Sequence, residues 1–250
     1  MTYDDNRIQH EIEHGNYLAA HGAGEIWNWE SPAGKIRWKR RVEMLCNAIR
    51  EGWSVLELGC GTGYFTKELA QTNASITAID ISPVLVKEAE KVVQRPNVNF
   101  AIDNAYQMTF KDETFDAVVG SSVLHHLDVG KAITEIYRVL KPGGIIAFTE
   151  PNMMNPQIAV QKNIPFIKRK MGDSPDETAF FRWILRKRLI RSGFQQVKVV
   201  PFDFLHPAIP GKLINAISIA GSLAEKVPLI REIAGSLVLT AKKPESAKSS

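Results

Sequence analysis

The chain has 250 residues, 44% of them hydrophobic and 23% charged, and its 31 basic and 27 acidic side chains give a formal charge of +4. That composition excludes disorder over the whole length, and basicity so mild and dilute does not argue for a nucleic-acid partner. The longest stretch without a formal charge, Leu213–Ala224, has 12 residues, against roughly 18 needed to span a bilayer.

Two cysteines, Cys46 and Cys60, supply neither a disulfide framework nor a four-ligand zinc site. His10, His14 and His21 are scattered, so no metal is expected. The start, MTYDDNRIQHEIEH, is polar and acidic, unlike a secretory signal or an Arg-rich transit peptide. A reducing cytoplasm is the expected location, and the sequence carries no sign of oligomeric state.

In chain order, residues 34–50 predict an amphipathic helix with Trp38, Val42, Leu45 and Ile49 on one face. Short apolar runs then alternate with amphipathic stretches. Strands are expected at Ser54–Leu58, Ser75–Ile79, Val98–Ile102, Phe115–Gly120 and Ile145–Thr149. Helices are expected to about Gln71, from Ser82-Pro83, where the serine caps and the proline opens, and from Val129 to Leu140, where Lys141-Pro-Gly-Gly144 stops the helix. Apolar strands alternating with helices imply a parallel sheet covered on both faces. Further on, Ser174-Pro-Asp-Glu177 is a capping-box sequence that predicts a helix to about Ser192. Strands are expected at Gln196–Phe202 and Ser236–Ala241, with one or two helices between them and a disordered tail over 242–250.

Chemistry concentrates in Val55-Leu-Glu-Leu-Gly-Cys-Gly-Thr-Gly63, a strand entering a glycine-rich turn before a helix. Glycines at 59, 61 and 63 allow a tight turn and close approach of a ligand, and the helix N-terminus aims N–H groups at it. A dinucleotide fingerprint would need its third glycine where Tyr64 stands, which disfavours an NAD-dependent oxidoreductase. The spacing instead resembles motif I of the class I S-adenosylmethionine-dependent methyltransferases. Asp80, 21 residues after Gly59, ends the second strand where an acid can accept bonds from ribose hydroxyls. Asn104-Ala-Tyr-Gln-Met-Thr-Phe110 is similar to the family's D-A-x-x-L-P-F turn, with Asn in place of Asp. Phe115–Leu127 and Leu140–Ile145 resemble the type 11 subgroup.

The resemblance implies an α/β, Rossmann-like, doubly wound seven-stranded sheet with strand seven antiparallel between five and six, carrying helical lid insertions. It implies S-adenosyl-L-methionine as cofactor and S-adenosyl-L-homocysteine as product. Its binding residues would be Glu57 toward the ammonium, Gly59, Cys60, Gly61 and Gly63 in the turn, Asp80 and Ile81 at the ribose, Asn104 and Ala105 at the adenine, and Ser121 beside the methionine part. Asp103 could substitute for Asn104. Cys60 reads as a small structural residue rather than a nucleophile.

On that fold, residues 34–241 form one methyltransferase domain. The insertions 150–173 and 203–235 leave the carboxyl edge of the sheet and roof the cofactor site. Residues 1–33, with Tyr17, His21, Trp27 and Trp29, form an N-terminal lid segment. Met153, Met154, Ile158, Val160, Ile164, Phe166, Phe202, Phe204, Leu205, Ile209, Leu213, Ile214 and Ile217 make the roof apolar, which suits either lid packing or a pocket for a lipid-like acceptor. Weak peripheral membrane contact by 209–230 is a third expectation, with Lys212 and Lys226 as its few cations.

Methyl transfer to a hydroxyl needs a base, and His125, His126 and Glu150 are candidates. The stretch after strand four resembles the position where some small-molecule methyltransferases keep a catalytic histidine, and aligning the hydrophobic residue that follows makes His126 the one the resemblance implies. Gly120-Ser-Ser-Val123 lacks the Pro-Pro-aromatic run of amide and adenine N-methyltransferases, and no cysteine stands there for cytosine chemistry. Arg182, Arg186, Lys187, Arg188 and Arg191 read as the solvated face of a helix, so nucleic acid is disfavoured. The expected activity is methylation of a small or lipid-like acceptor, most readily at oxygen, with N- or C-methylation as the alternative. A non-catalytic cofactor-binding subunit is the rival of another class.

Overall fold

The computed structural model describes residues 3–22 and 28–246. Trp27 lies outside the described residues. Seven strands form one sheet in the order β3-β2-β1-β4-β5-β7-β6. They are β1 (Ser54–Leu58), β2 (Ser75–Asp80), β3 (Val98–Ile102), β4 (Phe115–Ser121), β5 (Leu140–Pro151), β6 (Gln195–Phe202) and β7 (Ser236–Lys242). β1 to β5 pair in parallel, and β7 runs antiparallel to both β5 and β6.

The alternation of β4 shows why the sheet is covered on both faces. Val118 joins a core built with Ile133, Ile136, Leu185 and Leu189. Its neighbours Ala117 and Val119 join a separate core with Leu45, Phe65, Val86 and Ala89. The first core is supplied by helices α5 (Val129–Val139) and α8 (Arg182–Arg191), and the second by α2 (Pro32–Cys46), α3 (Thr66–Leu69) and α4 (Pro83–Val92). Capping fixes the entries: Asp128 accepts from the amides of Gly130 and Lys131 at the head of α5, and Ser31 accepts from Gly34 at the head of α2.

Four features depart from the sequence expectation. Residues 3–21 form a helix, α1 (Tyr3–His21). Its Gly15 packs so closely on Ser82 that an added Cβ would lie 2.5 Å from the serine Oγ. β5 begins at Leu140 rather than Ile145, because the Lys-Pro-Gly-Gly segment is absorbed into the strand through an irregular register against β4.

In the Ser174–Glu177 box the Ser174 amide donates to Glu177 Oε2 at 3.0 Å, yet no helix starts there. Ser174 Oγ donates to Glu11 instead. The Thr178 and Phe180 amides donate to the carbonyls of His125 and Pro151, which holds 178–180 extended until α8 begins at Arg182. At the C-terminal end, order continues past Ala241. Lys242 closes β7, and buried Lys243 donates to the carbonyls of Tyr137 and Leu140.

Residues 150–173 fold into α6 (Pro156–Asn163) and α7 (Pro165–Lys170), and 203–235 into α9 (Ile214–Ala224) and α10 (Pro228–Arg231). Asn152 donates to the carbonyls of Glu232 and Ala234, Asn155 to that of Ile233, and Gln157 bonds His206. The two insertions are thereby joined over the carboxyl ends of the parallel strands.

Candidate functional site

A cavity of about 790 Å³ opens over the ends of β1, β2 and β4, bounded by α1, α2 and both insertions. At its floor the chain leaves β1 through a turn anchored by the Gly59 and Cys60 amides, which both donate to Ile79 O, at 2.8 and 2.9 Å. Gly61, at φ +53°, has no atom within 4 Å of where a Cβ would stand. It leaves a bare backbone cradle facing the cavity.

Asp80 holds that cradle. Its Oδ2 accepts from the Gly61 amide and its Oδ1 from the Ser82 amide, both at 2.9 Å, and burial raises its pKa. Ile81, Asn104, Ala105 and Ser121 line the cavity with it. Ser121 Oγ lies 3.1 Å from Thr149 Oγ1. Asn104 Oδ1 accepts from Tyr106 N. Asp103, the possible substitute, spends both oxygens on its own turn, accepting from Asn104 N, Thr109 N and Thr109 Oγ1.

Cys60 lines the cavity, and burial pushes its thiol well above the ordinary value, so it is no nucleophile at neutral pH. Two predicted residues stand behind the wall. Gly63 packs on Ala89, where a Cβ would meet the α4 backbone at 3.1 Å. Glu57 is buried, burial pushes its carboxyl up to about 8, and its Oε2 has no hydrogen-bond partner. A carboxyl so held is protonated at neutral pH in the ligand-free chain, and a cation brought against it would ionise it.

The other end of the cavity carries groups from distant parts of the chain. His126 Nδ1 lies 2.9 Å from Glu11 Oε2 of α1. Burial pulls its pKa down, but Glu177 and then Glu11 outweigh that and hold it at about 9. Glu11 is lowered in return: His126 overcomes the upward push of burial. His126 is therefore an imidazolium at neutral pH.

His125 lies 2.6 Å from Glu150 and 3.2 Å from Glu177. Glu150 also accepts from the amides of Val123 and Leu124, so it is fully engaged in holding the turn. His125, His126 and Glu177 bring ligand-type atoms within 4.8 Å of one another. The chain's own cations balance that cluster, since Lys162 pairs with Glu177 and Asp173.

Sequence reasoning missed His14 and Arg41. His14 lines the cavity, 5.8 Å ring to ring from His126. Burial and then the His126 charge lower its pKa, which leaves a neutral imidazole. Arg7, Glu11, His14 and Leu18 all face the cavity at helical spacing, and that period was the readable signal.

Arg41 is buried, donates to Ser236 Oγ, and is brought down to about 10 by burial. Its Nε and Nη1 have no partner. Asp203 is 3.7 Å away but pairs more closely with Arg37, at 2.7 Å, and Glu225 is taken by Arg40. One buried guanidinium at the cavity wall thus keeps spare donors and charge for an anion.

The roof's apolar residues divide. Ile158, Phe204 and Leu205 line the cavity, whereas Val160, Ile164, Phe166 and Leu213 are exposed on the outside. Gln157, Gln161, Lys162 and Asp173 take much of the inner face.

The family model described as "Methyltransferase domain" matches residues 56–148. The chain is 31% identical over 186 residues to the ubiquinone/menaquinone biosynthesis C-methyltransferase UbiE of Hydrogenovibrio crunogenus, covering 64% of this chain and 72% of that protein. It is 26% identical over 216 residues to the O-methyltransferase resE of Aspergillus sclerotiorum, covering 80% and 79%. Against some relatives the chain spans about half their length, 52% for the UbiE of Haemophilus ducreyi.

In fold it is similar to the methyltransferase solved with the Haloferax volcanii Trm112 activator, with a TM-score of 0.69, 19% identity, and coverage of 95% of this chain and 99% of that one. It is also similar to the Haemonchus contortus phosphoethanolamine N-methyltransferase 2 in complex with S-adenosyl-L-methionine, with a TM-score of 0.64, 18% identity, and coverage of 89% and 56%. The Gly61 cradle, the strand-end acid Asp80, the 3-2-1-4-5-7-6 sheet and these relatives agree, and the chain belongs to the class I S-adenosylmethionine-dependent methyltransferases, in the type 11 subgroup.

Proposed function

We propose that this enzyme methylates a hydroxyl group on a small, lipid-like acceptor held in the roofed half of the cavity. The observation that carries the reading is the neutral His14 imidazole, exposed to the cavity beside the charged His126–Glu11 pair. Apolar Ile8, Leu18, Ile158, Phe204 and Met171 share that half with polar groups, which suits a molecule with one polar, reactive end.

When bound, S-adenosyl-L-methionine supplies a methyl group on a sulfonium centre. Asp80 would accept from the ribose hydroxyls, Asn104 and the Ala105 amide would meet the adenine, Ser121 would flank the methionine part, and Glu57 would balance the ammonium. Arg41 would receive the carboxylate with its spare Nε and Nη1 donors.

His126, as an imidazolium, does not take the acceptor's proton at neutral pH. Its charge keeps Glu11 ionised and His14 neutral, and His14 takes the proton. The roof excludes water from this step.

The test supplies the protein with methyl-labelled cofactor and fractionated lipid extracts. The ¹³C shift of the transferred methyl separates O-, N- and C-methyl products. Label in an organic-soluble methyl ether, with kcat lost in His14→Ala at unchanged cofactor affinity, supports the reading. A C- or N-methyl product overturns the hydroxyl acceptor. Cofactor binding with no turnover on any fraction would favour a non-catalytic partner instead.

A further inference from the structure

The outer face of the roof is apolar where a solvated helix would be polar. α9 seats Ile214 and Gly221 inward, against Leu205, Ala33 and Phe204. Its opposite face carries Ile219 and Leu223, which are 64% and 57% exposed. Leu229 on α10 is 86% exposed, and Phe166 on α7 of the other insertion is 68% exposed. No helix among the described residues is long and apolar enough to cross a membrane.

Charge sorts itself across the same two insertions. Every acid in 150–173 and 203–235 is paired: Glu150 with His125, Asp173 with Lys162, Asp203 with Arg37, Glu225 with Arg40 and Glu232 with Arg182. Arg169, Lys170, Lys212 and Lys226 are exposed, and among the described residues none stands in an ion pair. The two insertions therefore expose large apolar side chains and free cations, while each of their acids has a partner.

We propose that this face rests on the surface of an anionic lipid bilayer. Ile219, Leu223, Leu229 and Phe166 enter the boundary between headgroups and acyl chains, and Arg169, Lys170, Lys212 and Lys226 meet the lipid phosphates. A second copy of the chain fits less well, because a two-fold contact through this face would set its cations against themselves. The docking stands whatever the acceptor is. If the acceptor is lipid-like, as proposed above, the same contact brings the roof of the cavity to the layer in which that acceptor dissolves.

Flotation with vesicles tests this on the full chain. Vesicles of phosphatidylcholine containing phosphatidylglycerol are compared with vesicles of phosphatidylcholine alone. The protein is expected to float with the anionic vesicles and to be released by salt. Ile219→Ser with Leu229→Ser, and separately Arg169→Glu with Lys170→Glu, are each expected to lower partitioning about tenfold or more. Both double variants should keep wild-type circular dichroism and wild-type affinity for S-adenosyl-L-homocysteine by calorimetry. The proposal is overturned if the wild-type chain stays in the lipid-free fraction, if either double variant floats like wild type, or if the serine variant abolishes self-association in a chain that binds no vesicles.

Discussion

His126, on the turn after β4, and Glu11, on α1, form an ion pair of 2.9 Å beside the cavity. It joins the N-terminal helix to the turn that follows β4, at the cavity wall. Arg7 strengthens the junction, donating to the carbonyls of His126 and Asp176 at 2.6 and 2.9 Å. A pKa held at about 9 against the ordinary 6.5 corresponds to roughly 3 kcal/mol of stability.

The sign follows from the upward direction of the shift. The contribution is complete below about pH 6.5 and is lost as pH rises through 9. Denaturant unfolding across that range should show stability falling on the alkaline side. In Glu11→Gln the fall should be smaller and should end at lower pH, since one of the two carboxylates holding the proton is gone. An alkaline limb unmoved by the substitution would remove Glu11 from the account.

Asp80 and Glu57 should fail in different ways. Asp80→Ala removes the acceptor that fixes the Gly61 amide and faces the cavity, and should weaken cofactor binding by about 1–3 kcal/mol at any pH near neutrality. Glu57 has a carboxyl near pKa 8 that a bound ammonium would pull down. Cofactor affinity should therefore rise with pH toward 8, with protons released on binding. Calorimetry in buffers of different ionisation enthalpy measures that release, and Glu57→Gln should abolish it. Release persisting in the variant would assign the proton to another group.

The strands were legible from their apolar runs: Ser54–Leu58, buried from Val55 onward, and the half-exposed edge strand Val98–Ile102 match residue for residue. The glycine-rich turn after β1 and its anchor Asp80 were legible because glycine spacing and a strand-end acid are local. Features decided by distant partners were not. Ser174 has an ordinary capping-box sequence, yet its hydroxyl goes to Glu11 and the following amides go to His125 and Pro151. Lys212 and Lys226 looked sparse along their own segment, and the free cations Arg169 and Lys170 come from the other insertion, while Glu225 and Glu232 are paired with residues far along the chain.

Gly15 should report on the seating of α1. A methyl group there meets Ser82 Oγ at 2.5 Å and Cβ at 2.7 Å, so Gly15→Ala must push the helix off the start of α4. The expected cost is about 1–3 kcal/mol. Because α1 walls the cavity through Glu11 and His14, the acceptor KM should rise more than cofactor affinity falls. Gly15→Ala paired with Ser82→Gly should recover much of the loss, since the second change removes the obstructing hydroxymethyl. No recovery in the pair would place the strain elsewhere.

Arg41 should separate stability from function. Its guanidinium is buried with two nitrogens unpartnered, and burial already pulls its pKa down to about 10. Asp203 does not depend on it, being paired with Arg37 at 2.7 Å. Replacing an under-satisfied buried cation by an apolar side chain of similar length removes a desolvation cost without stranding a carboxylate. Arg41→Met should therefore leave the ligand-free protein as stable as wild type or about 1 kcal/mol more so. The same change should weaken S-adenosyl-L-homocysteine binding about tenfold or more, as a charge-assisted pair is lost. Thermal unfolding with and without that ligand measures both effects together: the ligand-induced rise in Tm should shrink while the ligand-free Tm holds or climbs. A variant that loses stability and keeps its ligand response would make Arg41 a structural arginine, its spare donors unconnected with the cofactor.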